Sequence, residues 1–370
     1  MIELGIEEKT YTLNLGPQHP STHGVLRVLL EMEGEFITKA EPVIGYGHRA
    51  HEHMAENRNY HQFLPNMGRV DYLHALAYNQ GYCMAVEKLM GIVVPERAEF
   101  IRVITSELNR ISSHLLWLGA YLLDLGAFTP ILYCFDDREN ILDLLDRITG
   151  SRLTYCFYRF GGVPQDLDEE FITGTRAFIK RLRRRFHDYD NLVTKNIIFI
   201  KRTRDVGVFT REQAVRYGLT GPTLRGSGIA YDIRKSEPYS AYPRFNFEIP
   251  VGERGDVMDR YLVRVREMEQ SLRIIEQALD RLPDGPVMAE KVPKRIKPAE
   301  GEVYQAVETA RGEFGCYIVS KGDIKPYRIK LRVPSFGNLS ILPEAAVDTL
   351  VADLVAILGS FDVVVPEIDR

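Results

Sequence analysis

The chain has 370 residues, 45% of them hydrophobic and 26% charged, a balance that suits a soluble globular protein with one large core or two intimate ones. The formal net charge of −4 gives no sign of a nucleic-acid or anionic-membrane binder. The cysteines Cys83, Cys134, Cys156 and Cys316 are scattered, which excludes a disulfide framework or a Cys-x-x-Cys metal or iron–sulfur site and fits a reducing, cytoplasmic compartment. The start, Met1-Ile-Glu-Leu-Gly5, has neither a basic head nor an apolar core, so no signal peptide is expected.

Residues 10 to 43 read as strands. The runs Tyr11 to Leu15 and Val25 to Met32 flank Asn14-Leu-Gly-Pro-Gln-His-Pro-Ser-Thr-His-Gly24, a joining loop rich in proline and glycine. Such a loop can hold His19 and His23 at the mouth of a cleft, and it is equally what a hairpin loop with solvated histidines looks like. A second cluster follows in Gly45-Tyr-Gly-His-Arg-Ala-His-Glu-His53. His51 and His53 lack the i, i+4 spacing of a helical metal pair, His48 and His51 have a tolerable i, i+3 spacing, and no third ligand is evident, so no metal is expected.

Asp71 suits an N-cap, which places Tyr72 on the first turn of a helix running to Met90 and stopped by Gly91. Pro95 opens the next helix. There Ile101, Ile104, Leu108, Ile111, Leu115, Leu118, Leu122 and Leu125 make one apolar seam. Beside it runs a second stripe, Glu107, Arg110, His114, Trp117, Tyr121 and Asp124. Two readings stand: a helix between a bundle and a cleft, or a buried ion-pair ladder that only fixes packing. Leu115 to Phe135 imitates a membrane span, but Asp124, Gly126 and Pro130 interrupt it, so a buried bundle helix is expected.

Asp136-Asp-Arg-Glu-Asn140 begins a further helix ended by Gly150, and Gly161 to Asp166 is a loop. A long basic helix carries Lys180-Arg-Leu-Arg-Arg-Arg185, read as a solvated face or partner contact. Thr210 to Gln213 has capping-box spacing. Gly218 to Gly228 is glycine-rich but lacks a Gly-Lys-Ser/Thr ending, so nucleotide binding is rejected. Gly255-Asp256 opens another bundle helix with the seam Met258, Leu262, Val265, Met268, Leu272, Ile275, Leu279 and Leu282. Then come a short helix near Glu302, a hairpin (Cys316 to Ser320 and Tyr327 to Val333), a last helix from Pro343 to Leu358, and a tail. The expected fold is mainly α with β pieces at both ends, an α+β chain. It forms a single unit over 1–370: a β-rich part over 1–70, a helical bundle over 71–285 and a C-terminal part over 286–370.

Gly16-Pro-Gln-His-Pro-Ser-Thr-His-Gly-Val-Leu-Arg27 resembles the N-terminal signature of the D-type, or 49 kDa-type, subunit family of NADH-quinone oxidoreductases, respiratory complex I. Glu41-Pro-Val-Ile-Gly-Tyr46, Arg69-Val-Asp-Tyr72, Val86-Glu-Lys-Leu89, Pro95-Glu-Arg97, Ser113-His-Leu-Leu116 and Gly161-Gly-Val163 resemble further blocks of that family. So do Leu224-Arg-Gly-Ser-Gly228, Arg332-Val-Pro-Ser-Phe336, Gly359-Ser-Phe-Asp362 and Glu367-Ile-Asp-Arg370. The blocks follow one another over nearly the whole chain. Gly47, Ala50-His-Glu-His53 and Pro366 depart from the pattern.

The resemblance implies a helical core like the large subunit of nickel–iron hydrogenases, without that enzyme's paired cysteines or metal. It implies a quinone-binding subunit with no cofactor of its own. This chain would lie against the B-type subunit, which holds the last iron–sulfur cluster, in a complex with the C-type subunit and the membrane arm, peripheral on the cytoplasmic side of the cell membrane. His23 and Tyr72 are the implied headgroup ligands and Asp124 the partner of that histidine, with His19, Arg69 and Asp71 in support. The implied chemistry is two-electron, two-proton reduction of quinone coupled to proton pumping, with Tyr72 and His23 as proton donors. The rivals are a hydrogenase-type subunit, a purely structural scaffold, and an equivalent complex fed by ferredoxin or reduced deazaflavin.

Overall fold

The computed structural model describes residues 10–18 and 24–370. Three N-terminal strands, β1 (Thr10–Leu15), β2 (Arg27–Glu33) and β3 (Phe36–Val43), form an antiparallel sheet in that order. Alternation sets its register: Val28, Leu30 and Met32 turn inward, and Leu13 pairs with Leu30. His19 and His23 of the joining loop lie outside the described residues.

Two short helices, α1 (His51–Asn57) and α2 (Tyr60–Met67), lead into α3 (Ala75–Met90) and the 29-residue α4 (Glu96–Asp124). Helix α4 is the axis of the molecule. It packs against α3, α5 (Thr129–Thr149), α11 (Val257–Asp280) and α14 (Val351–Ser360). Both of its stripes are buried almost throughout, so it is enclosed on all sides rather than amphipathic. Between α5 and α11 the chain forms α6 (Glu169–Tyr189), a single π turn (Asp190–Thr194), and the short helices α7 (Ile197–Thr203), α8 (Arg211–Arg216), α9 (Gly221–Gly226) and α10 (Ile233–Ser236). Helix α8 has the expected capping box of Thr210 and Gln213.

A second antiparallel sheet, β4 (Gly301–Glu308), β5 (Glu313–Ser320) and β6 (Arg328–Arg332), lies across α3. The approach is close: a Cβ on Gly81 of α3 would stand 2.8 Å from the Phe314 ring. The chain ends in α12 (Pro334–Leu339), α13 (Leu342–Ala346), α14 and α15 (Val365–Asp369). Among the described residues no helix is long and apolar enough to cross a membrane.

The structure corrects several local expectations. Helix α3 begins at Ala75, not at Asp71: His74 has non-helical backbone angles, and the Asp71 carboxylate caps a separate turn through the amides of Leu73 (2.9 Å) and His74 (3.2 Å). Helix α5 starts earlier than Asp136, because Pro130 fits its first turn and Gly126, at φ +87°, has already broken α4. The expected helix near Glu302 is strand β4, whose Val303 pairs with Ile318. The expected helix from Pro343 to Leu358 is split, because Asp348 and Thr349 hydrogen-bond to the backbone of Ile37 in β3. The basic run of α6 is not merely solvated: Arg181 and Arg185 pair with Asp136 and Asp137 of α5, and Arg183 with Glu269 and Glu276 of α11.

Candidate functional site

The second stripe of α4 divides into two parts. Its N-terminal part is a closed ionic cluster. Glu107 accepts from Arg110 (3.1 Å), Arg234 (3.1 Å), Tyr242 (2.7 Å) and Ser271 (2.6 Å). Glu267 of α11 accepts from Arg225 and Arg234, both at 3.1 Å, Glu308 of β4 from Arg225 at 2.7 Å, and Asp232 from Arg234 at 2.6 Å. All of these side chains are buried. Burial alone would raise the carboxyls of Glu107 and Glu267; the guanidinium groups outweigh it and hold both below the usual carboxylate range. Three guanidiniums face four carboxylates here, and Glu308, pressed by burial and then by the charge of Asp232, is pushed up to about 7. Burial keeps His114 below the ordinary imidazole range although Glu267 lies 3.4 Å away. For Glu107 and Arg110 the packing-ladder reading is the one the geometry bears out.

Farther along the stripe Trp117 faces a cavity of about 180 Å³ lined by Tyr72, Leu73, Leu116, Trp117, Ala120, Gly359, Asp362, Val363 and Val364. Trp117 is fixed by its indole N–H to Gly359 O (2.7 Å), by stacking on Tyr121 and by the Arg264 guanidinium 4.5 Å from its ring centre. Tyr72 is half-buried at the cavity wall. Burial raises its phenol above the ordinary value, the Arg311 guanidinium opposes, and Asp71 and Asp362 add to the rise, so the phenol is protonated at neutral pH.

Behind Tyr72 stands a second buried cluster built on Arg311, in the turn between β4 and β5. The guanidinium donates to Asp71 (2.8 Å), to Ser113 Oγ (3.0 Å) and, more loosely, to Asp362 (3.4 Å). His74 braces the same turn: Ala310 N–H donates to its Nδ1 (2.9 Å), so Nε2 carries the proton and donates to Ser106 O (3.1 Å). Glu367 of α15 accepts from Tyr78 (2.6 Å) and Ser335 (2.5 Å), and burial, with the charge of Asp71 next, pushes it up to about 7.

The named candidates are placed as follows. Tyr72 lines the cavity. Asp71 is fully buried behind it on Arg311. Asp124, the last residue of α4 and partly buried, lies one turn beyond the cavity-lining Ala120. Arg69 is exposed, its guanidinium on Pro65 O and its own carbonyl holding Arg49 (2.6 Å). His19 and His23 fall outside the described residues. Of the second histidine cluster, His48 bonds Asp369 O (2.6 Å), His53 pairs with Glu56 (3.5 Å) and His51 is buried at the start of α1. Among the described residues no group of three or more His, Cys, Asp or Glu is placed to hold a metal ion. Arg311, Arg264 and Asp362 escaped the sequence reading. Arg311 sits in an ordinary turn sequence, whereas Asp362 closes a family-like block, Gly359-Ser-Phe-Asp362, that the fold brings to the cavity wall.

The profile of the family described as "Respiratory-chain NADH dehydrogenase, 49 Kd subunit" matches residues 124–300 and 290–370. The chain is 66% identical to the D-type subunit of NADH-quinone oxidoreductase from Syntrophobacter fumaroxidans, over 99% of this chain and 98% of that one. It is 60% identical to the D-type subunit from Desulfotalea psychrophila over 98% of both chains, and 56% identical to D-type subunit 2 from Opitutus terrae over 98% of this chain and 91% of that one. The chain therefore belongs to the D-type subunit family of NADH-quinone oxidoreductase, the 49 kDa subunit of the respiratory-chain NADH dehydrogenase, and is one component of a multisubunit oxidoreductase.

Proposed function

We propose that this chain is the quinone-binding subunit of its complex, and that Tyr72 delivers a proton to quinone as it is reduced. The observation that carries the proposal is the phenol of Tyr72 at the wall of a cavity lined also by Leu73, Leu116, Trp117, Ala120, Val363 and Val364, with Gly359 and the Asp362 carboxyl. The apolar part of the wall suits a quinone ring, and the convergent phenol suits its carbonyl. Complete ligand clefts usually enclose about 300–1,000 Å³, so a cavity of about 180 Å³ fits a site finished by a neighbouring chain.

In this reading the B-type subunit supplies both the facing wall and the electrons, from its iron–sulfur cluster. The C-type subunit and the membrane arm complete a complex held on the cytoplasmic side of the cell membrane. The chain acts as a single unit with a hydrogenase-large-subunit-like bundle and carries no cofactor itself. Reduction takes two electrons and two protons. Tyr72 donates one proton; His23, braced by Asp124, donates the other, and Asp71 with Arg311 holds the Tyr72 turn in place. His19 and Arg69 support the loop and the turn. The resulting change of charge is what the complex uses to drive proton pumping.

The test is Tyr72→Phe in the assembled complex. Loss of quinone reduction, with the iron–sulfur clusters still reduced by NADH, supports the assignment; wild-type turnover ends it.

A further inference from the structure

In the quinone reading Tyr72 acts repeatedly only if its proton is replaced, and a carboxyl group lines the same cavity. Asp362 lines the same cavity on the opposite chain segment, with only 7% of its surface exposed. Its surroundings differ from those of Asp71, the other carboxylate near Tyr72. Asp71 has both oxygens engaged, Oδ1 by the Leu73 and His74 amides and Oδ2 by Arg311 at 2.8 Å. Among the described residues Asp362 receives only a long bond on Oδ1, from Arg311 at 3.4 Å. Its Oδ2 is buried and accepts no hydrogen bond among the described residues; Arg264 Nε stands 3.9 Å from it. An ionised carboxylate with a buried oxygen and no donor is costly, and a proton on that oxygen removes the cost.

We propose that Asp362 is the carboxyl group that returns a proton to Tyr72 after each transfer. This inference rests on the quinone reading of the cavity. Two electrons from NADH reach the quinone through the complex, the Tyr72 O–H bond breaks, and its proton goes to a reduced quinone oxygen. The Asp362 O–H bond then breaks and the Tyr72 O–H bond re-forms, directly or through a water; the cavity greatly exceeds the 10–15 Å³ or so that one water requires. The Asp362 carboxylate left behind is held by Arg311 and Arg264 until a solvent proton restores it. The groups facing Asp362 are Asp71 and Tyr72 from the turn before α3, His114 from α4, Arg264 from α11 and Arg311 from the β4–β5 turn. Burial raises the Asp362 carboxyl against the pull of both arginines, in keeping with this assignment.

The experiment uses the assembled complex with Asp362→Asn, Asp362→Glu and Tyr72→Phe. Asp362→Asn should reduce quinone in a first turnover and then lose at least about 10-fold in steady-state rate, with KM for quinone nearly unchanged. Its rate should fall further as pH rises and recover when a small acidic buffer such as imidazole is added. Steady-state turnover at the wild-type level, or a loss indifferent to pH and buffer acid, overturns the proposal. Asp362→Glu keeps the acid and is the second arm: the carboxylic C=O band in the infrared difference spectrum of quinone reduction should move relative to wild type. An unmoved band overturns the proposal even where Asp362→Asn fails to assemble. A wild-type rate in Tyr72→Phe instead brings down the quinone reading, whereas a crippled Tyr72→Phe beside a normal Asp362→Asn brings down this inference alone.

Discussion

Arg311 and Asp71 stand 240 positions apart in the chain and 2.8 Å apart in the fold, both with fully buried side chains. The pair ties the β4–β5 turn to the turn that carries Tyr72. Losing one partner of a buried pair costs about 3–5 kcal/mol, because the other charge is left behind. Arg311→Ala should therefore lower the thermal midpoint of the assembled complex and shift Tyr72. Asp71→Asn, which keeps the turn-capping oxygen, should do less damage. Equal damage from both in thermal denaturation would mean that the Arg311–Asp71 charge pair alone sets the cost, and that the further contacts of Arg311 with Ser113 and Asp362 add nothing.

Tyr72→Phe separates chemistry from stability. The ring and its packing are kept, and a neutral hydrogen bond of the lost hydroxyl would contribute only about 0.5–1.5 kcal/mol. Stability should barely move, while quinone reduction falls about 10²- to 10⁴-fold, the usual contribution of a placed proton donor. Steady-state quinone kinetics beside a melting curve decides the matter.

Asp124 and His23 are proposed to act as a pair. Asp124→Asn keeps the shape at the end of α4 and leaves its buried Leu122 seam intact. Asp124→Asn and His23→Ala should each lower quinone reduction, and the double variant should lose much less than the sum. Fully additive losses in the log of kcat would dissolve the pair.

Glu308 connects the ionic cluster to pH. Its carboxyl lies at about 7 in the fold against 4.5 in an open chain, so the fold binds its proton more tightly than the unfolded state does. The stability contributed is complete below pH 4.5 and declines as pH rises through about 7. Glu107 and Glu267 run the other way: they stabilise above the ordinary carboxylate range and lose that contribution as pH falls through their depressed values. Glu308→Gln should therefore flatten the decline in melting temperature between about pH 5 and about pH 8 without changing the acid limb. An unchanged slope would place the titration elsewhere.

Much of the secondary structure could be read locally because its causes are local. Gly91 and Gly150 end α3 and α5 in the left-handed conformation that their missing Cβ permits. Thr210 and Gln213 satisfy each other's backbone at α8, and alternation along Val28, Leu30 and Met32 sets which face of β2 is buried. The seam of α4 follows from its 3-4 spacing alone, and the block order of the chain carried the family. Spacing also put Glu107 and Asp124 on one stripe, but it could not tell which end would be sealed. That depended on Arg225, Arg234 and Glu267 arriving from α9, α10 and α11 to surround Glu107. Strand β4 was misread for the same kind of reason: its strand state depends on partners in β5, and no helical or strand period within eight residues records a distant partner. The cavity was invisible to sequence because its walls, Tyr72, Trp117 and Asp362, come from three separated segments. Periodicity and capping act over a few residues and are written in the chain, whereas the burial of a charge and the enclosure of a cavity depend on contacts that exist only once the segments have packed.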